Sequence, residues 1–426
     1  MNTLETKPCN IKSANELDKN DPLSHFRGRF HFPKFNSNKP YIYFSGNSLG
    51  LQPDTAEQYV KEELEAWKQM GVNAHLGAKR PWLQYHEFLT SYSAEIVGAQ
   101  DKEVVVMNAL TVNLHLLMTS FYRPKGIRKK ILIEKQAFPS DRYAIQSQLR
   151  FHGNDPNDDL IILESNDGQF ISMNTIVDYL SNYGEEIALV LIGGVNYYTG
   201  QAFDMAAITD KAQNCGCRVG FDLAHAAGNI QLKLHDWGVD FAAWCGYKYL
   251  NGGPGAPSGV FIHERHLGRS DVPRFEGWWG HDKSTRFDML DDYKPLETVE
   301  AWQLSNPPIL SMAALLASLE IFQEAGIKSL RKKSEKLTSF LELLINSEFQ
   351  KQIEIITPIS IHSRGCQLSL RLLKPVSDIT KRLNERGVLC DWRGPDVIRV
   401  APVPLYNSFE DCYNFVEILK DILNEC

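Results

Sequence analysis

Arg218-Val219-Gly220-Phe221-Asp222-Leu223-Ala224-His225 and, shortly after it, Phe241-Ala242-Ala243-Trp244-Cys245-Gly246-Tyr247-Lys248 are the stretches on which the fold turns. Each opens with a short apolar run that suits a buried strand, residues 218–221 and 241–244. Each then delivers a polar side chain capable of chemistry. Asp222 ends the first run and Lys248 follows the second. In open parallel sheets, ligands bind beyond the carboxyl ends of the strands, so both residues point to one crevice.

The same pattern repeats outward. Apolar runs at 103–107, 130–133, 160–163 and 188–192 are interspersed with helix-like sequence at 111–122, from 140, at 171–183 and at 205–214. Residues 258–263 form a further strand candidate with no helix before it. Short apolar strands alternating with helices indicate an α/β protein with a mostly parallel sheet covered on both faces. After Asn306-Pro307-Pro308 the character changes. An amphipathic pattern at 311–325, a charged helix at 328–344, strands at 367–372 and 397–400 and a last helix from Ser408 make a smaller α/β unit. The expected division is an N-terminal arm and segment packing near the small domain (1–75, the first 25 residues flexible), a large domain (76–310) and a small C-terminal domain (311–426).

Composition narrows the function. The chain has 426 residues, 43% of them hydrophobic and 23% charged, enough to bury a large core without disulfides or metals. A net charge of −7 and the lack of a basic stripe argue against a nucleic-acid partner. The eight cysteines are scattered, and Cys215-Gly216-Cys217 has neither zinc nor disulfide spacing. They read as reduced thiols in a cytoplasmic protein with no metal site. No apolar run approaches the roughly 18–20 residues of a membrane helix. The run Gly252-Gly253-Pro254-Gly255-Ala256-Pro257-Ser258-Gly259 lacks the dinucleotide fingerprint and leads into a strand, so it does not read as a nucleotide site.

A lysine in a crevice can form a Schiff base with an aldehyde cofactor. An aspartate there can hold a pyridine nitrogen protonated, which makes the ring a better electron sink. Either residue alone has a plain reading, Asp222 as a helix cap above all. The ordered pair points to pyridoxal 5'-phosphate. His225 reads either as a helix-turn histidine satisfied by backbone or as a second contact, to the Asp222 carboxylate or to the phosphate. Thr111, at the junction 109–111, can cap a helix and bind phosphate with the same geometry. Phe138, in Phe138-Pro139-Ser140-Asp141, suits a core or a pyridine face.

Several segments together carry a resemblance that covers nearly the whole chain. They are Phe44-Ser45-Gly46-Asn47-Ser48-Leu49-Gly50-Leu51-Gln52-Pro53, Asn108-Ala109-Leu110-Thr111-Val112-Asn113, Phe138-Pro139-Ser140-Asp141 and Gly220-Phe221-Asp222-Leu223-Ala224-His225-Ala226. Tyr247-Lys248-Tyr249-Leu250-Asn251, Gly277-Trp278-Trp279-Gly280-His281, Ser305-Asn306-Pro307-Pro308 and Arg399-Val400-Ala401-Pro402 complete the set. The chain resembles the kynureninase family. The resemblance implies an aspartate-aminotransferase-like fold, a homodimer, and hydrolysis of the Cβ–Cγ bond of L-kynurenine or, preferentially, 3-hydroxy-L-kynurenine. It implies that Lys248 carries the cofactor and that Tyr247 relays protons. Leu110, Thr111, Phe138, Asp141, Asp222, His225, Trp278 and Asn306 would surround the cofactor, some of them from the partner subunit. Arg399 would clamp the substrate α-carboxylate, with Ser48 among the substrate contacts, and His75 and Asn306 would meet its aromatic end. One position departs from the family pattern: Gly193 stands where a hydroxyl residue is usual, and Asn196 is the candidate to replace that donor. Two other functions share some of these features. One is a cysteine desulfurase using Cys366, which instead reads as structural because it runs into a strand. The other is a cofactor-binding protein without turnover, which would have no use for Arg399.

Overall fold

The computed structural model describes residues 10–36, 39–165 and 169–425. Its large sheet has seven strands: β1 (Val104–Met107), β2 (Lys130–Glu134), β3 (Leu160–Leu163), β4 (Ile187–Gly193), β5 (Arg218–Asp222), β6 (Phe241–Trp244) and β7 (Ser258–Ile262). They lie side by side in the order β1-β7-β6-β5-β4-β2-β3. Most of their residues are buried, as a sheet covered on both faces requires. Only β7 runs against its neighbours, β6 and β1. Parallel neighbours need a crossover, usually a helix, and the glycine-rich segment between β6 and β7 provides none, so the chain turns back antiparallel.

Two glycines let this sheet close. A Cβ at Gly220 would lie 2.1 Å from the Phe241 ring, and one at Gly259 would lie 2.1 Å from the Trp244 indole. Large aromatic side chains on β6 thus cover its neighbours on either side only because those positions have no side chain.

The second sheet is antiparallel throughout. β8 (Ile353–Ile355), β9 (Leu368–Leu372), β10 (Asp391–Arg393) and β11 (Val397–Val400) lie in the order β8-β9-β11-β10. Helices Ile327–Glu348 and Phe409–Asn424 pack on it through Leu337, Phe340, Leu344, Phe415 and Leu419. Helix Ile309–Ala325, expected to be amphipathic, is buried on most of its surface against Ala56–Met70 and Thr90–Val97. An apolar surface all round the helix suits such a place.

The N-terminal segment joins this second unit. Where a flexible arm is expected, Ile11–Lys19 is a helix whose first amides, on Lys12 and Ser13, donate to the Asn10 side chain. Ala14 and Leu17 enter the small core, and Asp18 accepts from the backbone N–H groups of Phe409 and Glu410. A carboxylate at a helix N-terminus is favoured by the exposed amides there. Residues 1–9 lie outside the described residues. Further along, Ile42–Tyr43 pairs in parallel with Val388–Leu389, and Ala401 N–H donates to Phe44 O. These bonds set Ser48 beside the second sheet. Among the described residues, no single helix is long and apolar enough to cross a membrane.

The glycine argument has a direct test. Gly259→Ala should cost about 2 kcal/mol, the usual scale of overpacking, because the Trp244 ring has to move. Urea denaturation of the variant should show a lower midpoint; an unchanged midpoint would mean the sheet can accommodate the methyl group.

Candidate active site

Loops at the carboxyl edge of the large sheet enclose a cavity of about 270 Å³. Leu110, Thr111, Phe138, Asp141, Asp222, His225, Tyr247 and Lys248 all line it. Local geometry brings them there. Asn108, at a φ of 49°, turns the chain sharply out of β1, and asparagine tolerates that region better than most residues. Asn113 locks the turn by donating to Met107 O at 2.8 Å and accepting from Asn108 Nδ2 at 3.0 Å.

The helix that follows, Leu110–Phe121, starts at Ala109 and has no side-chain cap. Thr111, expected as a possible cap, is the second residue of the helix instead. Its hydroxyl pairs with that of Ser140 at 2.8 Å, tying this helix start to the start of Pro139–Phe151. Uncapped first-turn amides beside two hydroxyls form a ready place for a phosphate.

Asp222 accepts from Ala224 N–H at 2.6 Å. Burial, and then the neighbouring Asp222, raises the Asp141 carboxyl well above the ordinary carboxylate range. Two carboxyls in one dry site cannot both ionise without a cation between or beside them. Lys248 Nζ lies 3.2 Å from His225 Nε2 and 5.7 Å from the centre of the Phe138 ring. Burial first, and then Lys248, holds His225 well below its usual pKa, so its imidazole is neutral and accepts from the lysine. His225 therefore sits against Lys248, not in hydrogen bond with Asp222 or at the uncapped helix start.

Three buried polar atoms in this cavity have no partner: Asp141 Oδ1, Glu134 Oε2 and His225 Nδ1. Buried polar groups are nearly always paired, so the cavity is built around a polar ligand. A pyridoxal phosphate fits the donor set. Asp222, with Asp141, suits a pyridinium nitrogen, Phe138 a ring face, Lys248 an aldehyde, and the start of Leu110–Phe121 a phosphate.

Glu134 was not anticipated from the sequence, although it ends an apolar strand just as Asp222 does. Its Oε1 accepts from Gly193 N–H at 3.2 Å, and a Cβ on Gly193 would lie 3.0 Å from that same oxygen. The space beside residue 193 therefore belongs to a carboxyl. Asn196 does not stand in for the missing hydroxyl. Its Oδ1 accepts from Tyr198 and Thr199 N–H, and its Nδ2 donates to Gln136 O.

Arg399, on β11, is almost fully buried. Its Nη1 donates to the carbonyl of Tyr197, a residue of the cavity wall. Its Nη2 meets Asp391 and lies 3.5 Å from Ser48 Oγ, so the two residues expected at the substrate lie together. Trp278, Asn306 and His75 do not line the Lys248 cavity. They gather in a second, open hollow of about 750 Å³ with Val72, Leu76 and Phe287.

Burial raises the Glu134 carboxyl from 4.5 to about 7. The cofactor-free folded chain then holds a proton that the unfolded chain has already lost, and stability falls as pH rises from about 4.5 to about 7. Glu134→Gln removes that loss. Relative to wild type, the cofactor-free variant should gain on the order of 3 kcal/mol across this window. Denaturant melts at pH 5 and pH 8 measure it, and a difference that does not change with pH would mean Glu134 is ionised throughout.

The chain is similar to known proteins. The model of the kynureninase C-terminal domain matches residues 330–419. A kynureninase of Myxococcus xanthus is 54% identical over 408 residues, 96% of either chain. That of Mus musculus is 46% identical, covering 99% of this chain and 95% of the other. Among solved structures, the apo cysteine desulfurase of Thermococcus onnurineus NA1 superposes with a TM-score of 0.75 at 17% identity, over 97% of this chain and 98% of that one. The lyase C-DES with glycine covalently linked to its PLP cofactor gives 0.76 at 18% identity, over 90% and 97%. The fold is thus that of the aminotransferase-like PLP enzymes, and by its full-length relatives this chain belongs to the kynureninase family.

Proposed function

We propose that the protein hydrolyses the Cβ–Cγ bond of 3-hydroxy-L-kynurenine in preference to L-kynurenine, releasing an anthranilate and L-alanine, with pyridoxal 5'-phosphate held on Lys248. The observation that carries this reading is Lys248 sharing one cavity with the Asp222–Asp141 pair, in a chain of the kynureninase family. The bound cofactor supplies an electron sink for carbanion chemistry on the substrate. Asp222, backed by Asp141, keeps its nitrogen protonated. The first amides of Leu110–Phe121, with Thr111, hold its phosphate. Lys248 takes the Cα proton, and neutral His225 gives it an acceptor without adding charge. Arg399 and Ser48 bind the α-carboxylate. Water gives its oxygen to the Cγ carbonyl carbon, and a proton ends on Cβ. Tyr247 is placed to deliver that proton, because it lines the cavity with Lys248 Nζ 5.9 Å from its ring centre.

A desulfurase reading finds little support in the thiols. Cys366 is fully buried, its N–H is bonded to Asn229 Oδ1, and burial pushes its thiol up to about 12. Such a group is neither mobile nor a thiolate. Incubation with kynurenine, 3-hydroxykynurenine and cysteine should yield anthranilates and alanine but no sulfide. Borohydride should fix the cofactor to the Lys248 peptide alone. Lys248→Ala should lose about a thousandfold or more in kcat, the scale of a lost acid–base group. Sulfide release, or labelling at another lysine, would reverse the assignment.

The working unit is a homodimer in the cytoplasm. The six described cysteines are all free thiols, as suits a reducing compartment. The second hollow leaves Val72 and Leu76 more than three-quarters exposed, a large apolar surface for one chain to present. In the proposed dimer, this hollow of one copy joins the Lys248 cavity of the other, so that Trp278, Asn306 and His75 complete the partner's site. His75 and Asn306 then offer polar groups to a ring hydroxyl, and a site built to bond a hydroxyl discriminates against the analogue lacking it. Sedimentation should give a dimer. The ratio of kcat/KM for 3-hydroxykynurenine over kynurenine should exceed one and fall about tenfold or more in His75→Phe/Asn306→Thr. An active monomer, or an unchanged ratio, would separate these residues from the site.

A further inference from the structure

The carboxylate clamp already holds a carboxylate. Asp391 opens β10, the edge strand, and stands directly opposite Arg399 on β11. Residues so paired have their Cβ atoms about 5 Å apart, so the acid reaches the guanidinium without leaving the sheet. Asp391 Oδ2 accepts from Ser48 Oγ at 2.6 Å and from Arg399 Nη2. Its other oxygen accepts from Arg393 Nη1 at 2.7 Å. Burial opposes ionisation of Asp391, but Arg399, Ser48 and Arg393 outweigh it and hold the carboxyl below its ordinary range.

We propose that Asp391 is a specificity residue, an internal carboxylate that occupies Arg399 and Ser48 until the α-carboxylate of a substrate replaces it. The inference rests on Arg399 being the substrate clamp. Two features fit exchange better than simple support of the arginine. The cluster holds two guanidinium groups against one carboxylate, so it has charge for a second acid. Arg399 Nε is also buried without a partner. A displaced Asp391 keeps Arg393 as its counter-ion and is never left as a bare buried charge, the outcome that makes broken ion pairs costly. Binding is then a trade of one carboxylate for another. It weakens every carboxylate ligand by a similar factor, hastens release of the amino-acid product, and rejects ligands whose carboxylate is replaced by a neutral amide.

The test is calorimetric binding of L-alanine to the holoenzyme. Asp391→Asn keeps the shape and removes the competing charge, so the dissociation constant should fall about tenfold, the scale of one charge-assisted bond. Arg393→Met leaves Asp391 with Arg399 as its only cation, and the constant should rise. Unchanged or weaker binding in Asp391→Asn means that Asp391 merely orients the clamp and overturns the proposal. If that variant does not fold, Arg393→Met decides: unchanged or tighter binding overturns the proposal. Arg399→Ala is the control. If it binds alanine as wild type does, the clamp assignment itself fails, a result distinct from either outcome at Asp391.

Discussion

Asp222 and Asp141 are two acids buried within reach of each other, and the large sheet is organised so that they meet. Each ends or follows an apolar strand, β5 for Asp222 and β2 for Asp141, and the order of the sheet brings those strand ends to one crevice. Placing both there is unfavourable on its own account, since burial and then Asp222 resist the ionisation of Asp141. Glu134 adds a third carboxyl to the same wall. A ring with a protonated nitrogen relieves this arrangement, and the cofactor-free chain carries the unrelieved cost. Relief of that cost is part of what would hold the cofactor there.

Much of this was legible in the sequence because strand ends are. An apolar run closed by an acid, or followed by a lysine, is visible in a one-dimensional pattern, and eight of the expected residues line one cavity. The strands Leu160–Leu163, Phe241–Trp244 and Val397–Val400 begin and end where their apolar runs do. What stayed hidden depends on tertiary partners. The helix Ile11–Lys19 has a polar sequence and is held by Asn10, Ala14 and Asp18 against a helix almost 400 residues away. The burial of Ile309–Ala325 comes from packing that periodicity cannot report. β10 is three residues long, at a sheet edge, and reads as a loop until its partner is known.

The departure at Gly193 shows how a local rule can mislead in a site. Read along the chain, glycine there is a lost hydroxyl, and the nearest amide, Asn196, is the obvious substitute. In space, Gly193 belongs to Glu134, a residue 59 positions earlier, whose carboxyl takes its N–H and stands where a side chain would grow. A donor has been exchanged for a buried acid. The register of β4 beside β2 made that exchange possible, and no window on the sequence around residue 193 contains it.

The site contains two polar clusters that differ in their balance of charge. At the cofactor end, burial keeps the Asp141 and Glu134 carboxyls from ionising readily and Asp222 shares the cavity with Lys248, so charges there nearly balance. At the Arg399 end, Arg399 and Arg393 face Asp391 and the surplus is positive. In the proposed function, a substrate amino acid would bring its amine to the first and its carboxylate to the second. The positive surplus at the Arg399 end favours a carboxylate there, since unscreened charges in a partly dry cleft act over several ångströms. Asp391 neutralises that surplus in part, and in the proposed exchange it would trade some of this preference for faster release. The carbonyl of Tyr197 takes a bond from Arg399 while Tyr197 itself lines the Lys248 cavity, so one residue touches both ends and couples the position of the clamp to the cavity wall.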